Sequence, residues 1–137
     1  MELRMLGGDD VDAILAAGHL FDAEPTAEWA ALFLERGGHH LVLAEEAGRP
    51  LGFVTGIEIT HPDKGTEMLL YELGVDEGAR RRGVGTALCR ALADRARAVG
   101  CYGMWVPMSP DNSAAAATYE ASGAQPAQAA TIAIWEF

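Results

Sequence analysis

The sequence has few cysteines, no long apolar run and no secretion signal, and each absence argues against a class of protein. Cys89 and Cys101 are the only cysteines among 137 residues and form no CxxC pair. Two free thiols in a reducing cytoplasm are therefore the simplest expectation. No stretch of about 18 uncharged apolar residues is present, which argues against a membrane-spanning helix. The first residues, MELRML, also lack the basic-then-apolar order of a secretion signal.

Basic residues are scarce and acidic residues are unevenly distributed. The formal net charge is −10, and so acidic a chain repels nucleic acid unless it has a strong local basic patch. Residues 1–77 hold 16 Asp and Glu against 4 Lys and Arg, whereas residues 78–137 hold 4 against 6. The first part, at −12, should attract cations, while the second, at +2, can tolerate an anionic ligand. Surface acids that only keep the protein soluble are the alternative.

Apolar spacing and turn residues predict a single α/β domain over residues 1–137 with a mixed sheet. Strands are expected at 2–6, 39–45, 51–60, 67–75, 101–106 and 129–137. Four helices are expected: from Asp9 or Asp10 to about Ala23, from Thr26 to Gly37, from Val84 to Gly100, and from Asn112 to Gly123.

The most informative segment is a glycine-rich turn between a strand and a helix. Strand 67–75 is followed by RRRGVGT at residues 80–86 and then by a helical pattern. Unpaired N–H groups at such a helix start bind phosphate, and Gly83 and Gly85 keep a Cβ out of the way of the ligand. The third glycine of a dinucleotide fingerprint and the GKS or GKT of a Walker loop are missing. A nucleic-acid patch would need more than one arginine triplet, and a solvated arginine run is the remaining alternative.

Three motifs resemble a known family, and one of them is Leu73-Gly74-Val75, which lies where the fourth strand of that family bulges. Arg80-x-x-Gly83-x-Gly85 is similar to the (Gln/Arg)xxGx(Gly/Ala) pyrophosphate signature of the GNAT superfamily of N-acetyltransferases, and residues 112–123 resemble its N..A...Y...G helix. Within the superfamily, residues 70–75 look similar to aminoglycoside 3-N-acetyltransferases, with Glu72 where those enzymes carry aspartate. The resemblance implies a GNAT fold, with a mixed, mostly antiparallel sheet of six to seven strands flanked by about four helices.

The resemblance also implies a set of site residues, with acetyl-CoA as co-substrate and no metal. Strand residues 73–75 are expected to bulge and pair with the pantetheine arm, and the tyrosine of the helix motif, Tyr119, is expected to protonate the departing CoA thiolate. The alternative for Tyr119 is a core aromatic with a solvated hydroxyl. The residues expected to bind the cofactor are Leu73, Gly74, Val75, Arg80, Arg81, Arg82, Gly83, Val84, Gly85, Thr86, Asn112 and Ala115.

Glu72 is the candidate general base or amine anchor, because it interrupts an apolar strand. A carboxylate in that setting is expected to be partly desolvated, with a pKa shifted toward useful basicity. An ion pair with an arginine is the alternative. Asp22 and Glu24 lie at the break between the first two helices, the region that forms one wall of the acceptor site in the superfamily. They are expected to bind the acceptor together with Glu72.

Other polar and aromatic residues carry simpler expectations. The pair His39-His40 is not expected to bind metal, because neighbours on a strand face opposite ways and no further ligands accompany them. Glu67 is expected to be a solvated strand end. The three tryptophans, at 29, 105 and 135, are expected in the core or at an interface.

The resulting functional hypothesis is acetyl transfer from acetyl-CoA to a primary amine of a small cationic acceptor, such as an aminoglycoside or a polyamine. The alternatives are an acetyltransferase for protein N-termini or lysines, and a CoA-binding regulator without catalysis. No nucleic acid or membrane partner is expected, and a homodimer is left open.

Overall fold

The computed structural model describes all 137 residues and contains one five-stranded sheet. Its strands follow the chain order β1-β2-β3-β4-β5, with antiparallel pairing except for the parallel pair β4 and β5. The strands are β1 Glu2–Met5, β2 His39–Glu46, β3 Arg49–His61, β4 Gly65–Val75 and β5 Met104–Trp105. The mixed, mostly antiparallel sheet is as predicted, but the prediction of six to seven strands is wrong.

The missing strand is the predicted one at 129–137. Residues 124–137 have no regular secondary structure, and the strand expected at 101–106 shrinks to the two residues of β5. The apolar alternation that predicted a strand at 129–137 is present in the sequence. A strand also needs a neighbour with free backbone groups, and alternation alone does not show whether the chain supplies one.

Four α-helices accompany the sheet, and none is long and apolar enough to cross a membrane. Two of the predicted caps are present: Thr26 Oγ1 accepts from Trp29 N at 3.2 Å, and Asn112 Oδ1 accepts from Ala115 N at 3.0 Å. The first helix is shorter than predicted, because it ends at Ala16 and a 3₁₀ turn follows over Gly18–Leu20. The helices are α1 Val11–Ala16, α2 Ala27–Glu35, α3 Val84–Ala98 and α4 Ser113–Ala121.

Two apolar clusters lie on opposite faces of the sheet. Successive β2 residues point to opposite faces, so Val42 packs in the cluster with α3 and Leu43 in the cluster with α1 and α2. The α3 cluster includes the fully buried Leu88 and Leu92, each of which contributes roughly 1.5–3 kcal/mol of transfer free energy. These two cores fix α3 on one face of the sheet and the chain after α1 on the other, and the candidate site residues come from both sides.

Strand β4 contains a bulge at Tyr71, not at residues 73–75 as expected. Thr55 of β3 pairs with Glu72 and Gly56 pairs with Leu70, so Tyr71 has no partner. The side chain of buried Thr55 compensates, because its Oγ1 accepts a hydrogen bond from Glu72 N at 3.0 Å. A bulge breaks the strict alternation of side chains and re-aims the residues beside it.

Candidate active site

An open trough of about 1340 Å³ crosses the C-terminal end of β4. Its walls come from the turn after α1, from β4, from the start of α3 and from α4. All residues predicted to bind the cofactor line it except Arg82, namely Leu73, Gly74, Val75, Arg80, Arg81, Gly83, Val84, Gly85, Thr86, Asn112 and Ala115.

The turn that leads into α3 leaves six consecutive backbone N–H groups without a partner. Those of residues 81–86 donate to no backbone or side-chain acceptor, whereas Ala87 N begins the helical ladder by donating to Gly83 O at 3.0 Å. Positive φ angles at Arg81 (63°) and Gly83 (78°) wind the chain into this turn. A run of free N–H groups at a helix N-terminus is a site for an anion.

The two glycines of this turn have different structural roles. Gly83 needs its left-handed backbone, and a Cβ added there would meet no protein atom within 4 Å, which leaves that space to a ligand. A Cβ at Gly85 would lie 3.2 Å from Cγ2 of Thr118. Gly85 therefore permits close packing of α4 on α3, a contact that the motif by itself does not reveal.

Gly74 allows the turn after α1 to pack close to β4. A Cβ added there would lie 2.6 Å from Phe53 Cε1 and 2.8 Å from the carbonyl oxygen of Leu20. Phe21 stacks on Phe53 with ring centroids 4.0 Å apart. This packing, which only glycine permits, holds the turn after α1 against the strand and places Asp22 at the trough.

The side chains of the three consecutive arginines do not all line the trough. Arg80 and Arg81 line the trough, whereas the side chain of Arg82 pairs with Glu46 of β2 at 2.6 Å. The hydrogen bond and charge of Arg82 lower the pKa of Glu46, but an exposed pair of this kind contributes little to stability. Arg82 thus contributes a free backbone N–H group to the turn, whereas its side chain lies outside the trough.

Two carboxylates, Glu72 and Asp22, lie together at the other end of the trough. Glu72 is partly buried, and its pKa is raised first by desolvation and then by the charge of Asp22. Arginine pairing, the alternative for Glu72, is not found among the ion pairs of the protein. Glu24, the third predicted acceptor residue, does not line the trough.

Tyr71 is a trough residue that the sequence motifs did not single out. It is 60% exposed and lines the trough beside Glu72. On a regular strand these neighbours would point to opposite faces, and the bulge at Tyr71 brings both to the same trough. No residue type by itself indicates a bulge, so the only signal in the sequence was an aromatic residue next to a candidate base.

Tyr119, the predicted proton donor, does not line the trough, although its neighbour Thr118 does. Together with Leu73 and Val75 it packs against the α3 cluster, half-buried. Burial raises the pKa of Tyr119, with a smaller contribution from Cys89, so the hydroxyl keeps its proton at neutral pH. Its role as proton donor stays a prediction.

His39, His40 and Glu67 make contacts within the fold. His39 packs beside Phe33 of α2, whereas His40 Nε2 bonds Glu58 Oε2 at 2.7 Å and its Nδ1 accepts from Arg95 of α3. The two histidines therefore face opposite ways, as expected. Glu67 lies near the start of β4 at the surface, and its carboxylate accepts hydrogen bonds from the Tyr102 hydroxyl and the Trp105 indole.

Comparisons with known proteins agree with this geometry. The L-2,4-diaminobutyric acid acetyltransferases of Nocardia farcinica and Streptomyces coelicolor are 36% and 38% identical over 80 and 74 residues. These matches cover 58% and 53% of the chain but only 40% and 42% of the relatives, so the chain spans less than half the length of the curated relatives it matches.

Solved structures show the same fold over nearly the whole chain. An aminoglycoside acetyltransferase from an uncultured soil metagenomic sample, in complex with sisomicin, superimposes with a TM-score of 0.87 at 16% identity, covering 99% of this chain and 95% of that one. A second, also from a soil metagenomic sample, gives 0.84 at 23% identity, covering 99% and 98%. The model of the Acetyltransferase (GNAT) family matches residues 10–124. The chain therefore belongs to the Acetyltransferase (GNAT) family.

Proposed function

We propose that this protein transfers an acetyl group from acetyl-CoA to a primary amine of a small cationic acceptor. The observation that carries the proposal is the run of six free N–H groups at the start of α3, beside an unpaired edge of β4. An anionic ligand with a peptide-like arm suits both features. Family membership supports acyl transfer over other uses of the same phosphate-binding turn.

The residues at the donor end fit acetyl-CoA. Free N–H groups at 81–86, with Arg80 and Arg81, would hold the pyrophosphate. β5 pairs with β4 only at Met68 and Leu69, so the edge of β4 from 70 to 75 is free to pair with the amides of the pantetheine arm. The co-substrate would supply an acetyl thioester, already activated for attack by an amine.

In the proposed reaction the neutral amine nitrogen attacks the acetyl carbon, so a C–N bond forms while the C–S bond breaks. Glu72 takes the proton that the acceptor ammonium must lose, directly or through water, and Tyr119 returns one to the sulfur. A backbone N–H near Val75 stabilises the charge that develops on the carbonyl oxygen. Alignment of both substrates in one trough supplies much of the remaining acceleration.

The acceptor end fits a cation. Asp22 and Glu72 place two carboxylates together, and the face of Tyr71 beside them can contact an ammonium or a sugar ring. The relatives named for diaminobutyric acid and the structural neighbours named for aminoglycosides support an amine acceptor of this class. The expected cytoplasmic location and the single domain over residues 1–137 remain part of the proposal.

A panel of amines tests the proposal by following CoA release and the mass gain of one acetyl group on the acceptor. Aminoglycosides, polyamines and diamino acids form the cationic arm; neutral amines and acetylatable peptides form the others. We expect the cationic arm to be used best. Acetylation of peptides alone would favour the protein acetyltransferase alternative, and acetyl-CoA binding without any turnover would favour the regulator.

A further inference from the structure

Strand β3 has one buried hydroxyl group, opposite the bulge of β4. Thr55 is 2% exposed, and Thr55 and His40 are the only buried polar side chains of the protein. The Oγ1 atom of Thr55 accepts a hydrogen bond from Glu72 N at 3.0 Å. The N–H groups of a strand usually donate to carbonyl oxygens of its neighbour, but here a side chain also joins the two strands.

The residues on either side of the bulge are fixed by packing. Leu70, before it, is 1% exposed and lies in the α3 cluster. Gly74, after it, lies so close to Phe53 that an added Cβ would approach the ring to 2.6 Å. A slip of β4 by one residue would move a buried side chain to the other face of the sheet. Neither side of the bulge can therefore absorb the extra residue.

Between these two fixed points, the Thr55 hydroxyl holds the backbone of β4. Three residues of β4, 71–73, lie opposite Val54 and Thr55 of β3, and Tyr71 has no partner. The N–H of Glu72 belongs to the peptide unit that joins Tyr71 to Glu72, so its hydrogen bond to Thr55 fixes the orientation of that unit. An N–H that loses its acceptor inside a protein costs free energy until it finds another, so the unit should turn when the hydroxyl is removed.

The orientation of this peptide unit decides where two side chains of the trough lie. Tyr71 and Glu72 both line the trough, although neighbours on a regular strand point to opposite faces. A turn of the unit between them would move at least one of the two away from the acceptor end. Thr55 itself does not line the trough, so it can act on an acceptor only through these two residues.

We propose that Thr55 is a positioning residue for acetyl transfer, whose hydroxyl holds the peptide unit between Tyr71 and Glu72 so that the aromatic ring and the carboxylate both reach the acceptor. This assignment rests on the proposed function, because it is the proposed function that places Tyr71 and Glu72 at the acceptor end. A selective defect follows from it. Use of the acceptor depends on the Thr55 hydroxyl, whereas the binding of acetyl-CoA at residues 81–86 does not.

Thr55→Val is the informative substitution, because valine has nearly the shape of threonine and lacks the hydroxyl. We expect kcat/KM for the best amine of the panel to fall by about 10- to 100-fold, since a misplacement of about 1 Å can cost as much as about 100-fold. The dissociation constant of acetyl-CoA should stay within about threefold of the wild-type value. Thr55→Ser keeps the acceptor oxygen and should retain at least about a third of the wild-type kcat/KM.

Val42→Ala is the control for a loss of stability alone. Val42 is 2% exposed, packs in the α3 cluster and does not line the trough. The substitution removes buried methyl groups and should lower the Tm while kcat/KM stays at the wild-type value. All assays are run below the lowest Tm of the set. Thr55→Ala, which also removes the hydroxyl, allows the same comparison if Thr55→Val does not fold.

Two measurements report on the hydroxyl without turnover, so they separate failure of this assignment from failure of the proposed function. In amide hydrogen exchange, Glu72 N–H should be protected in the wild type and in Thr55→Ser and should exchange faster in Thr55→Val, while Leu70 N–H stays protected. In an NMR titration, the pKa of Glu72, which burial and Asp22 raise in the wild type, should move toward its ordinary value in Thr55→Val. If no amine of the panel is acetylated by the wild type, the proposed function fails, and these two measurements decide whether Thr55 holds the bulge.

Four results would overturn the role of Thr55. The first is a wild-type kcat/KM in Thr55→Val, and the second is a defect in Thr55→Ser as large as that in Thr55→Val. The third is a loss of acetyl-CoA affinity as large as the loss of kcat/KM, or an equal loss of kcat/KM in Val42→Ala, because either would indicate a general structural effect. The fourth is a Glu72 amide whose exchange is the same in the wild type and in Thr55→Val.

Discussion

The two ends of the trough differ in the kind of group that is available for binding. At the proposed donor end the candidate binding groups are backbone N–H groups of residues 81–86 and the free edge of β4. At the proposed acceptor end they are side chains, with Asp22 on a turn and Tyr71 and Glu72 at a bulge. Backbone groups are fixed once the fold is fixed, whereas side chains change with single substitutions, so the donor end should tolerate less change than the acceptor end.

The largest effect on ligand binding is expected from a change that acts on the backbone of the proposed donor end. Gly83→Val should reduce acetyl-CoA affinity by at least about 100-fold, roughly 3 kcal/mol. Valine resists the φ of +78° that Gly83 adopts, and its side chain would enter the open space beside the turn. Calorimetry with acetyl-CoA measures the change.

The matched control is Gly100→Val at the other end of α3. Gly100 has a φ of +89°, and a Cβ added to it would meet no protein atom within 4 Å, as at Gly83. It carries the same backbone strain but lies outside the trough. Both variants should lose stability to a similar degree, and only Gly83→Val should lose acetyl-CoA affinity. Equal affinity in the two variants would contradict the assignment of the donor end.

Tyr119→Phe should lower turnover by about 10²–10⁴ while acetyl-CoA affinity changes little, the usual scale for loss of a general acid. Phenylalanine keeps the packing of the half-buried ring and removes only the hydroxyl. Single-turnover rates and calorimetry measure the two quantities. A turnover within about threefold of the wild type, under 1 kcal/mol in barrier, would make Tyr119 a packing residue.

The contrast between backbone groups and side chains also explains which site residues could be predicted from the sequence. Gly83, Gly85 and the cap residue Asn112 have backbone positions that are tied to residue type and spacing, so their place around the trough could be predicted. Tyr71 could not be predicted, because its position depends on a bulge that arises from the pairing of β3 with β4.

Predictions failed elsewhere for the same physical reason. Asp22 and Glu24 were both predicted from their place in the chain, but the packing of Leu20 and Phe53 around Gly74 brings only Asp22 to the trough. The side chain of Arg82 bonds Glu46, which is 36 residues distant in sequence, and therefore does not line the trough. In each case the deciding contact joins residues far apart in the chain, and local pattern carries no information about it.

Glu72→Gln should lower kcat/KM at every salt concentration and change its pH dependence. Burial and Asp22 raise the pKa of Glu72, and a general base acts only when deprotonated. The wild-type kcat/KM should therefore rise with pH through that raised pKa, and the rise should be absent in the variant. Asp22→Asn is the companion variant: removal of the neighbouring charge should move the rise to lower pH. An unchanged profile in both would leave Glu72 without a basic role.

The same substitution should raise stability at neutral pH. A carboxyl group whose pKa is higher in the folded than in the unfolded state opposes folding once the pH exceeds the folded pKa. Glutamine removes that cost, so the Tm of Glu72→Gln should exceed that of the wild type at pH 7. The difference should vanish below the unfolded pKa of about 4.3.

Tyr71→Ala should raise the acceptor KM by about tenfold, with a smaller change in kcat. The exposed ring lines the acceptor end, and an aromatic face contributes about 0.5–2 kcal/mol to binding of a cation. Tyr71→Phe is the control that keeps the face and should retain most of the affinity. Steady-state kinetics with the best acceptor of the panel measures both, and equal KM values for alanine and wild type would remove Tyr71 from the site.

The smallest effect expected is that of salt on acceptor binding. Residues 1–77 carry a net −12, and Asp22 and Glu72 bring part of that charge to the trough. The Debye length falls from about 10 Å at 0.1 M to about 3 Å at 1 M, so the KM for a polycationic acceptor should climb several-fold over this range. A monoamine, with less charge to attract, should respond less, and the Tyr71→Ala defect should persist because contact with a ring face is hardly screened. If instead the KM of polycation and monoamine stays flat with salt, the acidic residues serve solubility only, and recognition at the acceptor end rests on shape and the aromatic face.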